Sequence, residues 1–440
     1  MKLSLLPHQE QTIKRLEVTG GRQLLNLWPG AGKTLTTLCY LFKQQLPRVL
    51  VVAPASVCAV WEAESEKWCF PEFIRYTGTP LKRSRLLDTL RENPSWTVVS
   101  YETYLRDHKN LDRIRWDAVV LDECHKIKSP TAKVSKALRN LCQLVPRAIL
   151  LSGTPLVNGW GDMWSQVEAV KKGSLYGNWF IFRNMHAIMP IPGVPAITGW
   201  RGVEQIKAKI APHIFTIDKQ EIIKHLPPVQ EIDIPVELSS KEQKMYASMR
   251  DAMVIELEDE TLTAANALVK VGRLRQLTDG LFTLGIEESA KLEALSDLLD
   301  TLQGQHVIVF SMYEQTVQFM AGKLGIKNVI TGSTSGRDEI IARWRKDGGV
   351  IMGTSAMSTG LNLQEAAYVI QIEKPWTKAE EDQRIARAWR TGQKRPVTVY
   401  NLLARDTIDY GVKKLLERKG GTAEDLAALT MKDIQELLKE

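Results

Sequence analysis

Three short groups of residues are best equipped for chemistry. In WPGAGKT at 28–34, Pro29, Gly30, Ala31 and Gly32 precede Lys33 and Thr34. Glycines at this spacing let the backbone curl until its N–H groups face one anion, and a helix that follows adds its positive end. Lys33 then reaches the outer phosphates of a nucleotide, while the Thr34 hydroxyl is a ligand for magnesium. In LDECHKIKS, Asp122 and Glu123 follow a run of apolar residues. The first carboxylate suits magnesium, mostly through the ion's waters, and the second suits a base that orients and deprotonates water. Farther along, QRIARAWRTGQ at 383–393 places Gln383, Arg387 and Arg390 at i, i+4 and i+7, one face of a helix. Arginines so aligned can grip a terminal phosphate held by another lobe and offset the charge of its transfer.

Each group also has a plainer reading. GKT arises by chance in turns, acidic pairs cap helices, and a basic helix face is usually only solvated. Their order favours chemistry: an apolar run, a glycine loop and a helical stretch, then an apolar run ending in the acidic pair, then the distant arginines. Cys124 and His125 do not make a metal site, because no second ligand cluster accompanies them.

The elements that must position these groups are legible as alternating runs. LLNLW at 24–28, VLVVA at 49–53, WTVVS at 96–100, AVVLD at 118–122 and AILLS at 148–152 alternate with helical stretches, the pattern of βαβ units and a parallel sheet. Their near-continuous apolarity implies helices on both faces. The pattern returns with HVIVF at 306–310, NVI at 328–330, GVIMG at 349–353, YVIQI at 368–372 and VTVYNLL at 397–403. The expected fold is therefore α/β, with two tandem parallel-sheet lobes over 1–230 and 231–440. A protrusion is expected at about 156–225, punctuated by MPIPGVPAITGWRG at 189–202, which suits neither a long helix nor a central strand. A helical insertion is expected at about 240–285, and short helices at about 420–440.

Bulk properties agree. At 440 residues the chain exceeds what one core usually serves. A content of 44% hydrophobic and 25% charged residues excludes a largely disordered chain. A net charge of +7 suits a polyanionic partner without demanding one. The five cysteines contain no CxxC pair, so neither a zinc ribbon nor a disulfide framework is indicated. With no signal peptide or membrane-length apolar run, a reduced, cytoplasmic setting is expected.

Taken in order, these segments resemble the Swi/Snf-type ATPases of helicase superfamily two, over nearly the whole chain and in a compact form of prokaryotic or phage type. LLPHQ at 5–9 resembles the adenine-contacting motif, which implies Gln9 as base reader. VVAPASVCAVWEAESEKW at 51–68 resembles motif Ia, VVSYET at 98–103 motif Ib, and DECH the DEAH-like box. LLSGTPLVN at 150–158 resembles motif III, which implies that Ser152 and Thr154 couple hydrolysis to DNA. VIVFSMYEQT at 307–316 resembles motif IV, TSAMSTGLNLQEAAYVIQIEKPW at 354–376 motif V and the tryptophan-bearing segment after it, and QRIARAWRTGQ motif VI.

The resemblance implies two RecA-like lobes, ATP with Mg2+, and a monomeric motor on duplex DNA without sequence preference. It further implies Gly360 as a nucleotide contact and Ser56, Tyr101, Ser311, Thr354, Ser355 and Trp376 as DNA contacts. Lys126, Lys128, Arg273 and Arg275 are further phosphate candidates. Three features depart from the family pattern: His8 stands where an aromatic is usual, Leu27 and Trp28 replace a common acidic pair, and an arginine pair near Thr216 to Lys219 is missing. A strand-separating helicase and a nucleotide-gated DNA-binding scaffold are the competing functions.

Overall fold

The computed structural model describes residues 4–153, 155, 159–189, 197–258, 264–357, 361–419 and 437. The chain divides into two compact units, Met1–His225 and Leu226–Glu440. The division falls before the expected break at 230, because the strand that starts at Val229 pairs with Val397–Ala404 of the second unit.

The strands are β1 Arg22–Asn26, β2 Val49–Ala53, β3 Phe73–Arg75, β4 Trp96–Ser100, β5 Ala118–Asp122, β6 Arg147–Ser152, β7 Ala187–Ile188, β8 Gly199–Trp200 and β9 Ile214–Thr216, followed by β10 Val229–Val236, β11 His306–Phe310, β12 Asn328–Ile330, β13 Gly349–Gly353, β14 Tyr368–Gln371 and β15 Val397–Ala404. In the first unit the order is β3-β4-β2-β5-β6-β1-β9, with every pairing parallel. β2 and β5 are buried throughout, as their unbroken apolarity requires when helices cover both faces.

Register positions the chemistry. Asn26 of β1 stands opposite Ser152 of β6, and Asp122 of β5 stands opposite Leu151 of the same strand. The glycine loop and the acidic pair therefore leave the same C-terminal sheet edge with one strand between them, on the order of 10 Å apart. In α/β sheets this edge is where ligands bind.

The expected protrusion is smaller than 156–225. The helix Gly161–Val170 is buried at every residue but Asp162 and joins the core of the first unit. At the other end, β9 pairs with β1 as an edge strand. Between them lie the helices Trp179–His186 and Val203–Ile210 and the antiparallel pair β7 and β8. Residues 190–196, and the expected terminal helices beyond Gly420 apart from Leu437, lie outside the described residues.

The second sheet has the order β10-β15-β14-β11-β13-β12, again parallel throughout. Phe310 stands opposite both Gly353 and Gln371, so the chain after β11, β13 and β14 emerges side by side. The helices Ser240–Glu258 and Ala264–Asp279 share an apolar cluster with the helix Ile408–Lys419.

Beneath that edge lies a buried ionic cluster. The fully buried Lys291 ammonium lies 2.7 Å from Asp409 Oδ2 and 3.3 Å from Asp279 Oδ1 and donates to the Ile372 carbonyl at 2.9 Å. Burial, then the Glu373 charge, drives the Asp279 carboxyl well above its ordinary range. Burial acts on Glu373 in the same sense, but the Asp279 hydrogen bond and the Lys291 and Arg275 charges outweigh it and hold its pKa below normal. Removing the one ammonium leaves buried negative charge uncompensated, so Lys291→Met is expected to destabilise the protein by about 3–5 kcal/mol. Urea unfolding measures this, and a loss below about 1 kcal/mol would contradict it.

Candidate nucleotide site and the elements around it

Gly30 and Gly32 have φ of 87° and 77°, left-handed conformations that glycine adopts without a Cβ penalty. Gly32 is the N-cap of the helix Lys33–Lys43, so Lys33 and Thr34 open that helix. A methyl group at Gly32 would lie 2.4 Å from Gln9 Nε2, so the Gln9 amide would have to move aside, while the left-handed backbone is what demands glycine there. Gln9 Nε2 donates to the Ala31 carbonyl at 3.4 Å, and its Oε1 accepts from Leu6 N at 2.9 Å. With 1% exposure and both ends of its amide engaged, Gln9 is a brace of the loop in this structure rather than an open reader of a base. Lys33 Nζ donates to the Leu27 carbonyl at 3.0 Å. Pro29 lies against Gly153, where a Cβ would come within 3.0 Å of its ring. Trp28 and Lys219, two positions that depart from the family pattern, meet each other: the ammonium lies 5.2 Å from the ring centroid, a cation–π contact.

Asp122 is held at three points. Trp61 Nε1 donates to Oδ2 at 2.9 Å, the Glu123 amide donates to Oδ1 at 2.9 Å, and the Tyr101 hydroxyl donates to its main-chain carbonyl at 2.8 Å. Burial, reinforced by the Glu123 charge, pushes the Asp122 carboxyl up to about 6, against the Trp61 N–H and Lys33. Glu123 sits at φ 52°, a left-handed conformation that costs a non-glycine residue about 1–3 kcal/mol. Its Oε2 is buried without a hydrogen bond. His125 Nδ1 approaches that oxygen at 3.4 Å and Ser152 Oγ at 3.5 Å. Burial, with the charges of Lys126 and Lys128, pushes His125 down to about 4, so the ring is neutral at pH 7 and the contact is not an ion pair.

This donor set suits magnesium. The Thr34 hydroxyl and the Asp122 carboxylate are hard oxygen ligands, and each Asp122 oxygen keeps a lone pair beyond its protein hydrogen bond. The described residues hold no group of three or more His, Cys, Asp or Glu side chains able to bind a metal ion by themselves. An ion here would take its remaining ligands from water and phosphate.

The arginine motif differs from expectation. Its helix spans Lys378–Ile385 only, so Gln383 is helical while Arg387 and Arg390 lie in the turns that follow, not on one helical face. The Arg387 amide bonds to the Arg384 carbonyl, and its Nε takes the Gln383 carbonyl at 3.1 Å, a side-chain cap on the helix C-terminus. Ala386, Ala388 and Trp389 are buried, with Trp389 Nε1 donating to Pro227 O at 2.7 Å. This anchoring ends the helix. Arg387 and Arg390 still converge, on the Leu361 carbonyl at 2.9 and 3.5 Å. Thr154 and Gly360 lie outside the described residues.

The expected DNA contacts divide. Ser56 is half-buried in the first turn of the helix Ala55–Lys67, and Ser355 is exposed. Thr354 is 8% exposed, with its hydroxyl accepting from the Ala356 amide. Tyr101 is buried, with its hydroxyl committed to Asp122, so that hydroxyl cannot reach a phosphate. Ser311 is fully buried, and its hydroxyl donates to Glu373 at 2.8 Å, which again removes it from the surface. Trp376 is half-buried under the Arg275 guanidinium, 4.4 Å from its ring. Arg275 itself is fully buried and donates to the Lys374 carbonyl, so it is no phosphate contact, whereas Arg273 and Lys126 are exposed.

Residues 24–280 match the model of the SNF2-related domain, and residues 290–392 match the helicase conserved C-terminal domain. The chain belongs to the SNF2-related family. Among the relatives of this SNF2-related chain, chromodomain-helicase-DNA-binding protein 1-like of Danio rerio is 28% identical over 443 residues, covering 92% of this chain and 42% of its own length. A putative ATP-dependent helicase/translocase of Bacillus subtilis is 27% identical over 429 residues, covering 89% of this chain and 45% of its own. The chain thus spans less than half the length of these curated relatives. A solved Sulfolobus solfataricus SWI2/SNF2 ATPase core in complex with dsDNA is 23% identical, aligned over 99% of this chain and 97% of that one, with a TM-score of 0.48.

The sequence did not point to Trp61, to Tyr101 as a support of Asp122, or to the Lys291 cluster. Nothing in spacing links Trp61 to Asp122. Their proximity follows from β2 lying beside β5.

Proposed function

We propose that the chain is a DNA-dependent ATPase that translocates on duplex DNA without sequence preference. The observation that carries this reading is the convergence at one sheet edge of the glycine loop with Lys33 and the rigidly held Asp122–Glu123 pair. In this SNF2-related chain Lys33 and the loop amides bind the phosphates of ATP. Thr34 and Asp122 hold magnesium, which when bound offsets phosphate charge. Glu123 orients and deprotonates the attacking water, and its buried, hydrogen-bond-free Oε2 supports that role. Arg387 and Arg390 stabilise the charge of the transferred phosphate. Ser56, Ser355, Lys126 and Arg273 are accessible enough to meet DNA phosphates, contacts that position a duplex without reading its bases.

Translocation and strand separation give different products. With ATP, the protein is expected to displace a third strand from a triplex while leaving a forked duplex paired. Strand release from the fork would instead favour the helicase reading.

A further inference from the structure

Two aromatic donors converge on Asp122 from different helices. Trp61 belongs to the helix Ala55–Lys67 that follows β2, and Tyr101 opens the helix Tyr101–Leu111 that follows β4. β4, β2 and β5 are neighbours in the sheet, so both helices start at the edge where β5 ends in Asp122. Trp61 is fully buried and Tyr101 is 4% exposed. Trp61 is wedged against Phe73, their ring centroids 6.1 Å apart. Trp61 fixes one carboxylate oxygen. Tyr101 fixes the Asp122 carbonyl, and with it the peptide plane that leads into the left-handed Glu123. A strained backbone persists only where its surroundings over-determine it, and the Tyr101 hydrogen bond is one such constraint.

We propose that Trp61 and Tyr101 are positioning residues with divided roles: Trp61 sets the Asp122 carboxylate for magnesium, and Tyr101 holds the Asp122–Glu123 peptide so that Glu123 faces the attacking water. The proposal rests on the nucleotide hydrolysis proposed above. Partners that orient a metal ligand typically contribute 10–100-fold to metal affinity or activity, and small misplacement of a reacting group costs up to about 10²-fold in rate.

Conservative variants separate the two roles. Trp61→Phe keeps the ring and removes the N–H. It is expected to raise the magnesium concentration that half-saturates binding of a fluorescent ATP analogue by about tenfold, and excess magnesium should restore hydrolysis. Tyr101→Phe is expected to leave that titration unchanged while lowering the maximal hydrolysis rate at least about tenfold, with no rescue by magnesium. Phe73→Leu disturbs the Trp61 packing without touching Asp122 and should reproduce neither signature. A wild-type titration in Trp61→Phe, an unchanged rate in Tyr101→Phe, or both losses in Phe73→Leu would overturn the proposal. The Tyr101→Phe arm decides alone if Trp61→Phe does not fold. If wild-type protein binds no nucleotide in a magnesium-dependent way, the proposed function fails. If it does and both variants match it, only this inference fails.

Discussion

Lys33→Ala is expected to weaken ATP binding by at least about 10²-fold and to abolish measurable turnover. The ammonium stands at the loop, bonded to the Leu27 carbonyl, on the first residue of a helix whose N-terminus already favours anions. Hydrogen bonds to charged groups contribute about 1.5–3 kcal/mol each, and two of them to phosphate oxygens amount to roughly 3 kcal/mol or more, a factor of about 10². Alanine leaves the glycine turns and the helix intact, so the unfolding midpoint should scarcely move. Equilibrium binding of a fluorescent ATP analogue separates this outcome from misfolding. Tight binding by the variant would remove Lys33 from the site.

Glu123→Gln is the second large effect. Glutamine matches the shape of glutamate and its backbone cost at φ 52°, but it cannot take a proton from water. General-base groups contribute about 10²–10⁴-fold, so steady-state turnover should fall by about 10³-fold while ATP affinity stays within a few fold of wild type. ATP should then remain trapped on the DNA-bound protein. Undiminished turnover would transfer the base role to another residue. His125, 3.4 Å from Glu123 Oε2 and kept neutral by burial, would be the first to examine.

What the sequence made legible follows physical lines. Strands covered on both faces, such as Val49–Ala53 and Ala118–Asp122, carry unbroken apolar runs, and the structure places them at the expected residues. The edge strands β9 and β10 do not read this way, although the edge strand Asn328–Ile330 does. Val229–Val236 alternates exposure and contains Pro235, which an edge tolerates, and Ile214–Thr216 is a short edge strand inside what reads as a protrusion.

The same division holds at the site. The glycine loop and the acidic pair are local patterns. Trp61 and Tyr101 reach Asp122 only through strand order, which a run of βαβ units leaves open. Arg387 and Arg390 have helical spacing, but buried Trp389 and the Arg387 cap end the helix at Ile385. Tyr101 and Ser311 look like surface hydroxyls in a linear motif, yet burial turns both inward to hold other residues.

Phosphate release by the purified chain, measured with magnesium and ATP in the absence of nucleic acid and then with single-stranded DNA, duplex DNA, forked DNA and RNA, tests the central claim most directly. The expected result is hydrolysis stimulated most strongly by duplex DNA, with stimulation falling as salt rises because the contacts are to phosphates. Magnesium-dependent ATP binding with no DNA-stimulated hydrolysis would contradict the motor and favour a nucleotide-gated scaffold.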